Sequence, residues 1–369
     1  MKNILLIFGT RPEAIKMCPL VRTLNERNQF RVTVCVTGQH RQMLDGVLDA
    51  FGVTPDYDLS IMREGQTLSH VTAEVLTGLD HVLARARPEI MLVHGDTSTA
   101  FSAALAGFYQ KIPVGHVEAG LRTYDMENPF PEEFNRRSIS LLARYHFAPT
   151  DLARTNLLRE GIDERRVFVT GNTAIDALRF TVRDNYTHPL LDWAGNSRLV
   201  LLTAHRRESL GAPMEGAFRA IRRVADEHPD LKILYPVHMN PAVRRIAEKI
   251  LGDSERIRLT PPLEAPDFHN FMARSYLILT DSGGIQEEAP ALGKPVLVLR
   301  DTTERPEGVA AGTLLLAGTR EATVYRHFTR LLADETLYRT MAKAKNPYGD
   351  GFACQRIAEI LAKTHPHSL

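Results

Sequence analysis

Three carboxylates occupy positions from which a sheet would deliver them for proton transfer. Asp96 lies in Val93-His94-Gly95-Asp96-Thr97, Glu118 in Gly115-His116-Val117-Glu118-Ala119-Gly120, and Glu132 in Pro129-Phe130-Pro131-Glu132-Glu133-Phe134-Asn135-Arg136-Arg137. They follow apolar runs that read as successive buried strands, so they are expected to converge at one rim, where several acids can give and take protons on one ligand. Two of them also have a plainer reading. Asp96 taken alone is a helix N-cap. Glu132 sits in an acidic first turn, which the helix dipole favours, and stands four residues before Arg136, the spacing of a helix-face pair. Glu118 has no capping duty evident in the sequence and is the strongest of the three.

A second group points to an anion. Thr280-Asp281-Ser282-Gly283-Gly284-Ile285-Gln286-Glu287-Glu288 ends a strand and opens a helix through a serine and two glycines. Backbone N–H groups at Ser282, Gly283 and Gly284 can approach phosphate oxygens there, helped by the helix N-terminus, and Glu288 can accept hydrogen bonds from ribose hydroxyls. His205 and Arg206 in Thr203-Ala204-His205-Arg206-Arg207-Glu208, and Arg305 in Asp301-Thr302-Thr303-Glu304-Arg305-Pro306, follow other strands of the same half and add guanidinium donors. In the first half, Thr10 and Glu13 are spaced as a capping box. Gly9 there permits close backbone approach, and Arg11 and Lys16 add positive charge.

The elements that must position these residues read as βαβ grammar. Apolar runs at Ile4 to Phe8, Val32 to Val36, Ile90 to His94, Val114 to Val117, His146 to Ala148 and Val167 to Thr170 alternate with helical periodicity. A second series runs from Leu199 to Leu202 through Ile233 to Tyr235, Ile257 to Leu259 and Leu277 to Thr280 to Val296 to Leu299. The turn-rich stretch from Asp184 to Arg198 separates them, and the domain boundary is expected between Thr170 and Arg198. The expected architecture is α/β: two Rossmann-like domains facing across a cleft, with the ligand at the carboxyl ends of the strands.

Composition narrows the partners. The 369 residues carry 45 basic and 44 acidic side chains, a net charge of +1 that offers no field for nucleic acid or an acidic membrane. Three dispersed cysteines, Cys18, Cys35 and Cys354, suggest neither a disulfide framework nor zinc, and no metal site is expected. The first apolar run is too short for a secretory signal core and no stretch is long enough to span a membrane, so a cytoplasmic protein is expected. No G-x-G-x-x-G or P-loop is present, and no cofactor is expected. Asp56-Tyr57-Asp58 matches a metal-holding D-x-D but reads as solvated surface.

Taken together, the segments FGTRPEAIKM, VTGQHRQML, VHGDT, PVGHVEAGLRT, PEEFNR, VTGNTAIDAL, AHRRES, YPVHMNP, LTDSGGIQEEAP, LRDTTERPE and NPYGDG closely resemble the non-hydrolysing UDP-N-acetylglucosamine 2-epimerases of bacteria. The resemblance runs through almost the whole chain. It implies a glycosyltransferase-B-like fold with an N-terminal domain over 1–172, a UDP-binding domain over 173–352 and a C-terminal helix within 353–369 packing back on the first domain. A homodimer is implied, with UDP-N-acetylglucosamine and UDP as small-molecule partners. Substrate contacts are implied at Arg11, Lys16, Asp96, Glu118, His205, Leu263, Phe268, Ser282, Gly283, Gly284, Glu288 and Arg305; Arg136 is added to them as a candidate. A second, activating substrate molecule is implied at Gln39, Gln42, Glu132, Arg206 and His238.

The implied activity is interconversion of UDP-N-acetylglucosamine and UDP-N-acetylmannosamine. The C2 hydrogen is not acidic in the ground state, so elimination of UDP to a 2-acetamidoglucal, followed by re-addition, is the expected route, with Asp96, Glu118, Glu132 and His205 as the catalytic set. A glycosyltransferase of the same architecture and a hydrolysing 2-epimerase are the alternatives. A non-catalytic sugar-nucleotide sensor is a third.

Overall fold

The computed structural model describes residues 1–38, 41–61, 63, 65–206 and 209–364, save for the side chains of residues 41–43. The chain divides into two compact units: Met1–Phe180 together with the segment from Tyr348 onward, and Thr181–Pro347.

The first unit begins with β1 (Lys2–Phe8), α1 (Arg11–Asn25), β2 (Phe30–Val36), α2 (Arg41–Phe51), β3 (Tyr57–Asp58), α3 (Leu68–Ala86) and β4 (Ile90–His94). It continues with α4 (Ser98–Tyr109), β5 (Val114–Val117), α5 (Glu132–Leu142), β6 (Tyr145–Ala148), α6 (Asp151–Arg159), β7 (Val167–Val169) and α7 (Thr173–Thr181). The sheet order is β3-β2-β1-β4-β5-β6-β7, and every pairing is parallel. Parallel strands are covered on both faces, which is why β1 reads as an unbroken apolar run. Its alternate residues split between two cores. Ile4, Leu6 and Phe8 pack with Ala14, Met17 and Leu20 of α1, while Leu5 and Ile7 pack with Val75 and Leu79 of α3 and Ala100 and Ala103 of α4.

The second unit contains α8 (Pro189–Ala194), β8 (Arg198–Thr203), α9 (Ala212–Glu227), β9 (Leu231–Pro236), α10 (Pro241–Leu251), β10 (Ile257–Thr260) and α11 (Ala265–Arg274). After these come β11 (Leu277–Thr280), α12 (Gly283–Ala291), β12 (Val296–Val298), α13 (Pro306–Ala310), β13 (Leu314–Leu316), α14 (Glu321–Ala333) and α15 (Glu335–Lys343). Its parallel sheet runs β10-β9-β8-β11-β12-β13. Strand order reverses between β1 and β4 in the first unit and between β8 and β11 in the second. Loops diverging from such a point leave a crevice at the carboxyl ends of the strands.

The chain ends with α16 (Ala353–Lys363), which belongs to the first unit. Cys354, Ile357, Ala358 and Leu361 recur on one face and join the core that holds α1. The buried Asp176 of α7 accepts hydrogen bonds from Ala353 N–H at 3.0 Å and Cys354 N–H at 2.8 Å, capping the helix. These contacts explain where the units divide. The units divide at 180 and 347, where α7 and the residue before it are tied to the Tyr348–Gly351 turn: Asn172 N–H donates to Tyr348 O at 2.8 Å, and Arg179 donates to Gly351 O at 3.0 Å.

Two strands, β3 and β13, go beyond those read in the sequence. Asp56 and Asp58, expected as solvated surface, are exposed beside and within β3. No helix of the described residues is long and apolar enough to cross a membrane, and none of them form a group of three or more His, Cys, Asp or Glu able to hold a metal.

Candidate active site

At the first unit's reversal point the loops after β1 and β4 are joined by Glu13. Its carboxylate accepts from Gly9 N–H at 3.0 Å, Thr10 N–H at 2.8 Å and the Thr97 hydroxyl at 2.7 Å. The capping box is therefore present, and it extends across the crevice to a neighbouring loop. Burial pushes the Glu13 carboxyl up from its usual range, against the pull of these hydrogen bonds. Gly9 is required here for close approach within the protein itself: a Cβ on it would lie 2.0 Å from Thr37 Oγ1.

Glu118 emerges from β5 with φ of +65°, a left-handed conformation that a non-glycine residue adopts at a cost of about 1 kcal/mol or more. Lys16 Nζ lies 2.5 Å from its Oε2, and Asn172 Nδ2 donates to the same oxygen at 2.7 Å. His94 Nε2 is 3.8 Å away. Burial lowers His94 to about 4, with Glu118 acting the other way, so the ring is neutral near pH 7. The carboxylate thus sits among a cation, an amide donor and a neutral imidazole, on backbone that its surroundings hold in place.

Asp96 is not the cap of α4. That position belongs to Thr97, whose hydroxyl accepts from Ala100 N–H at 3.0 Å. The Asp96 carboxylate is instead hydrogen-bonded by Arg136 Nη2, and its backbone oxygen accepts from Asn135 at 2.9 Å. Arg136 also reaches Glu133 at 3.3 Å, so it pairs with Asp96 and Glu133 rather than with Glu132. Glu133, fully buried, accepts the N–H groups of Thr123 and Tyr124 at 3.0 Å each. Glu132 heads α5, half-buried, in the same connection after β5 that carries Glu118. The three acids therefore follow two strands rather than three, the adjacent β4 and β5, at the carboxyl end of the sheet.

In the second unit, the loop after β8 is fixed to the loop after β11 by Asp281. Its Oδ2 accepts His205 N–H at 2.7 Å and Arg206 N–H at 2.8 Å, and His205 Nδ1 stands 3.2 Å from Oδ1. Burial opposes the charge on Asp281, but these contacts outweigh it and hold the carboxyl below its usual range. The His205 ring stacks on His238, centroids 5.5 Å apart.

Ser282 caps α12 in position but gives its first turn no side-chain hydrogen bond. A Cβ on Gly283 would lie 3.7 Å from Arg305 Nη2 and 3.8 Å from Arg206 Nη2, so two guanidinium groups border this helix start. Arg305 is held by Nε to the buried Glu287, and Arg206 lies 3.3 Å from Glu304. One turn on, Glu288 Oε1 approaches Gly284, 3.7 Å from where its Cβ would be. A helix N-terminus with bare glycines, two arginines and a carboxylate one turn away suits a diphosphate joined to a ribose. Phe268 of α11 is half-buried, its ring centroid 6.4 Å from that of His269, and Leu263 is half-buried in the loop after β10.

The structure thus brings Lys16 to Glu118, Asp96 to Arg136, His205 to His238, and Arg206 and Arg305 to Gly283, while Arg11 opens α1. Gln39 and the side chain of Gln42 lie outside the described residues. Glu13, His94, Asn172, Asp281 and His269 were not assigned roles from sequence. Four of them stand in quoted motifs, and Glu13 was read only as half of a capping box.

Two doubly wound parallel units, each with charged residues gathered at the reversal point of its sheet, define a Rossmann-like pair of the glycosyltransferase-B-like class. The UDP-N-acetylglucosamine 2-epimerase family model matches residues 22–362, and the chain belongs to that family of isomerases. It is 58% identical to the UDP-N-acetylglucosamine 2-epimerase of Bacillus subtilis strain 168, over 97% of this chain and 94% of that one. A solved S. aureus MnaA–UDP co-structure is similar with a TM-score of 0.91 at 53% identity, covering 98% of this chain and 96% of the other. The Neisseria meningitidis UDP-GlcNAc 2-epimerase bound to UDP-GlcNAc matches with a TM-score of 0.90 at 46% identity, covering 98% and 100%.

Proposed function

We propose that this chain reversibly epimerises UDP-N-acetylglucosamine at C2 to UDP-N-acetylmannosamine, through elimination of UDP and its re-addition. In the forward direction the C1–O bond to the β-phosphate breaks and its electron pair leaves with UDP. Positive character at C1 acidifies C2–H, and a carboxylate removes that proton to leave a 2-acetamidoglucal. Protonation of C2 on the opposite face and attack of the UDP oxygen on C1 restore the sugar nucleotide with C2 inverted. Acids are needed on both faces, and Asp96, Glu118 and Glu132 are assigned to these transfers.

In the second unit, the α12 start with Ser282, Gly283 and Gly284, together with His205 and Arg305, is assigned to the diphosphate as both anchor and leaving group. Glu288 is assigned to the ribose. Leu263 and Phe268 complete the nucleotide contacts, and Arg11, Lys16 and Arg136 supply positive charge beside the acids. A second substrate molecule acting on Gln39, Gln42, Glu132, Arg206 and His238 is kept as part of the same reading.

The observation that carries the proposal is Glu118, held on left-handed backbone by Lys16 and Asn172 beside a neutral His94. Proton NMR of the chain with UDP-N-acetylglucosamine in heavy water, with no sugar acceptor, tests it. The expected products are UDP-N-acetylmannosamine and a sugar nucleotide carrying deuterium at C2. Free N-acetylmannosamine with stoichiometric UDP would instead establish a hydrolysing enzyme. Binding without turnover or exchange would leave a glycosyltransferase or a sensor.

A further inference from the structure

Glu288 is the acid assigned above to the ribose, and the residue that faces it from α11 is His269, 3% exposed. Its Nδ1 is 2.8 Å from the hydroxyl of Thr181, the first residue of the second unit. Its Nε2 lies 3.6 Å from Glu288 Oε2. Oε1 of the same carboxylate leans over Gly284 at the start of α12. The two ring nitrogens of a histidine are distinct, and the hydrogen bond at one decides what the other can do. A proton on Nε2 is turned toward a carboxylate that can only accept. The opposite tautomer would set a lone pair against Oε2. The carboxylate therefore selects a ring that carries a proton on Nε2, toward Glu288.

The neighbourhood has no slack. Asn270, next to His269, donates to Thr181 O at 2.7 Å and to Pro266 O at 2.8 Å, and its own carbonyl accepts Arg183 N–H at 2.9 Å. The Thr181 hydroxyl, the Thr181 carbonyl and the Arg183 N–H are thus fastened to α11, and the imidazole cannot turn away without breaking the first of these contacts.

We propose that His269 is a positioning residue for nucleotide recognition: with its ring anchored on the Thr181 hydroxyl, it holds one oxygen of Glu288 so that the other presents its lone pairs to the ribose hydroxyls. This rests on the nucleotide reading of the second unit and adds to it a determinant of ribose over deoxyribose. A site built to bond a hydroxyl rejects the analogue that lacks it, since the buried acceptor is then left unpaired.

The test is the ratio of affinities for UDP and 2′-deoxy-UDP, measured by calorimetry on the full chain. The unaltered protein is expected to favour UDP by roughly tenfold or more, the worth of a hydrogen bond to a charged acceptor. His269→Leu and Thr181→Val are each expected to bring the ratio toward about one by weakening UDP binding while 2′-deoxy-UDP binding stays near its original value. His269→Gln, which restores an N–H donor, is expected to recover much of the ratio. A merely structural histidine would lower both affinities together and leave the ratio standing, which overturns the proposal. So does a full ratio in both His269→Leu and Thr181→Val when Glu288→Gln abolishes it. Absence of UDP binding in the unaltered chain defeats the underlying nucleotide reading itself.

Discussion

At the scale of single residues, the site depends on carboxylates whose charge is managed by specific neighbours. Glu118 has Lys16 at 2.5 Å and Asn172 at 2.7 Å on one oxygen. Removing the carboxylate by Glu118→Gln retains shape but not basicity, and turnover is expected to fall by about 10²- to 10⁴-fold, the range of a lost general acid or base. Asn172→Ala removes one donor from a charged acceptor and is expected to lower kcat by roughly tenfold, with KM for UDP-N-acetylglucosamine nearly unchanged. Steady-state kinetics on both variants, with circular dichroism to verify folding, checks the pair. Normal kcat in Glu118→Gln would remove Glu118 from the proton-transfer steps. The sequence made Glu118 legible because a carboxylate between small residues at a strand end has few structural duties. Asn172 was hidden because it lies 54 positions away from its partner.

At the scale of elements, the alternation of apolar runs and amphipathic stretches was legible because parallel strands buried on both faces must be apolar throughout. β3 escaped because it is two residues long at a sheet edge, where burial imposes no pattern. What the pattern also concealed is that β4, β5 and β6 each carry a buried histidine. His116 pairs in register with His146, and His94 follows at the end of β4. Burial lowers His94 to about 4 and His116 and His146 to about 3. Around them, Glu118 favours the charged form of His94 and Lys16 opposes it; Arg122 acts against charge on His116 and His146, and Arg166 against charge on His146. A histidine lowered on folding is protonated in the unfolded chain first, so its contribution is complete above about pH 6.5 and is lost as pH falls toward 4. Together the three add up to about 4 kcal/mol per pH unit to the acid dependence of stability, a steep slope against a typical domain's ~5–15 kcal/mol. Urea unfolding at pH 7, 6 and 5 should show stability falling across that window. His146→Met, which removes one site, should reduce the slope by about a third. An unchanged slope would mean that His146 is charged in the folded state.

At the scale of the whole molecule, the two units differ in how the chain builds them. The second is one continuous segment with its own core, running from Val200 and Leu202 of β8 through Val324 and Phe328 of α14. The first is interrupted, because α16 returns to it after the second unit is complete, placing Ile357 and Leu361 among residues of β1 and α1. No local pattern announces this, since an amphipathic terminal helix suits either partner; only the capping of α16 by Asp176 and the packing of its apolar face decide the matter. A fragment of residues 181–347 is therefore expected to unfold cooperatively by itself. A fragment of 1–180 leaves the α16-facing surface of α1 in water, and the buried Asp176 carboxylate loses two donors. Even Leu361→Ala in the full chain should cost about 2–5 kcal/mol, so loss of the entire helix is expected to leave 1–180 without a cooperative transition. Joining Phe180 to Tyr348 through a short glycine-serine linker should restore one, because Arg179 and Gly351 already meet at 3.0 Å across that interruption. Thermal melts followed by circular dichroism distinguish the three chains. A 1–180 fragment as stable as the joined chain would show that α16 decorates the first unit without completing it.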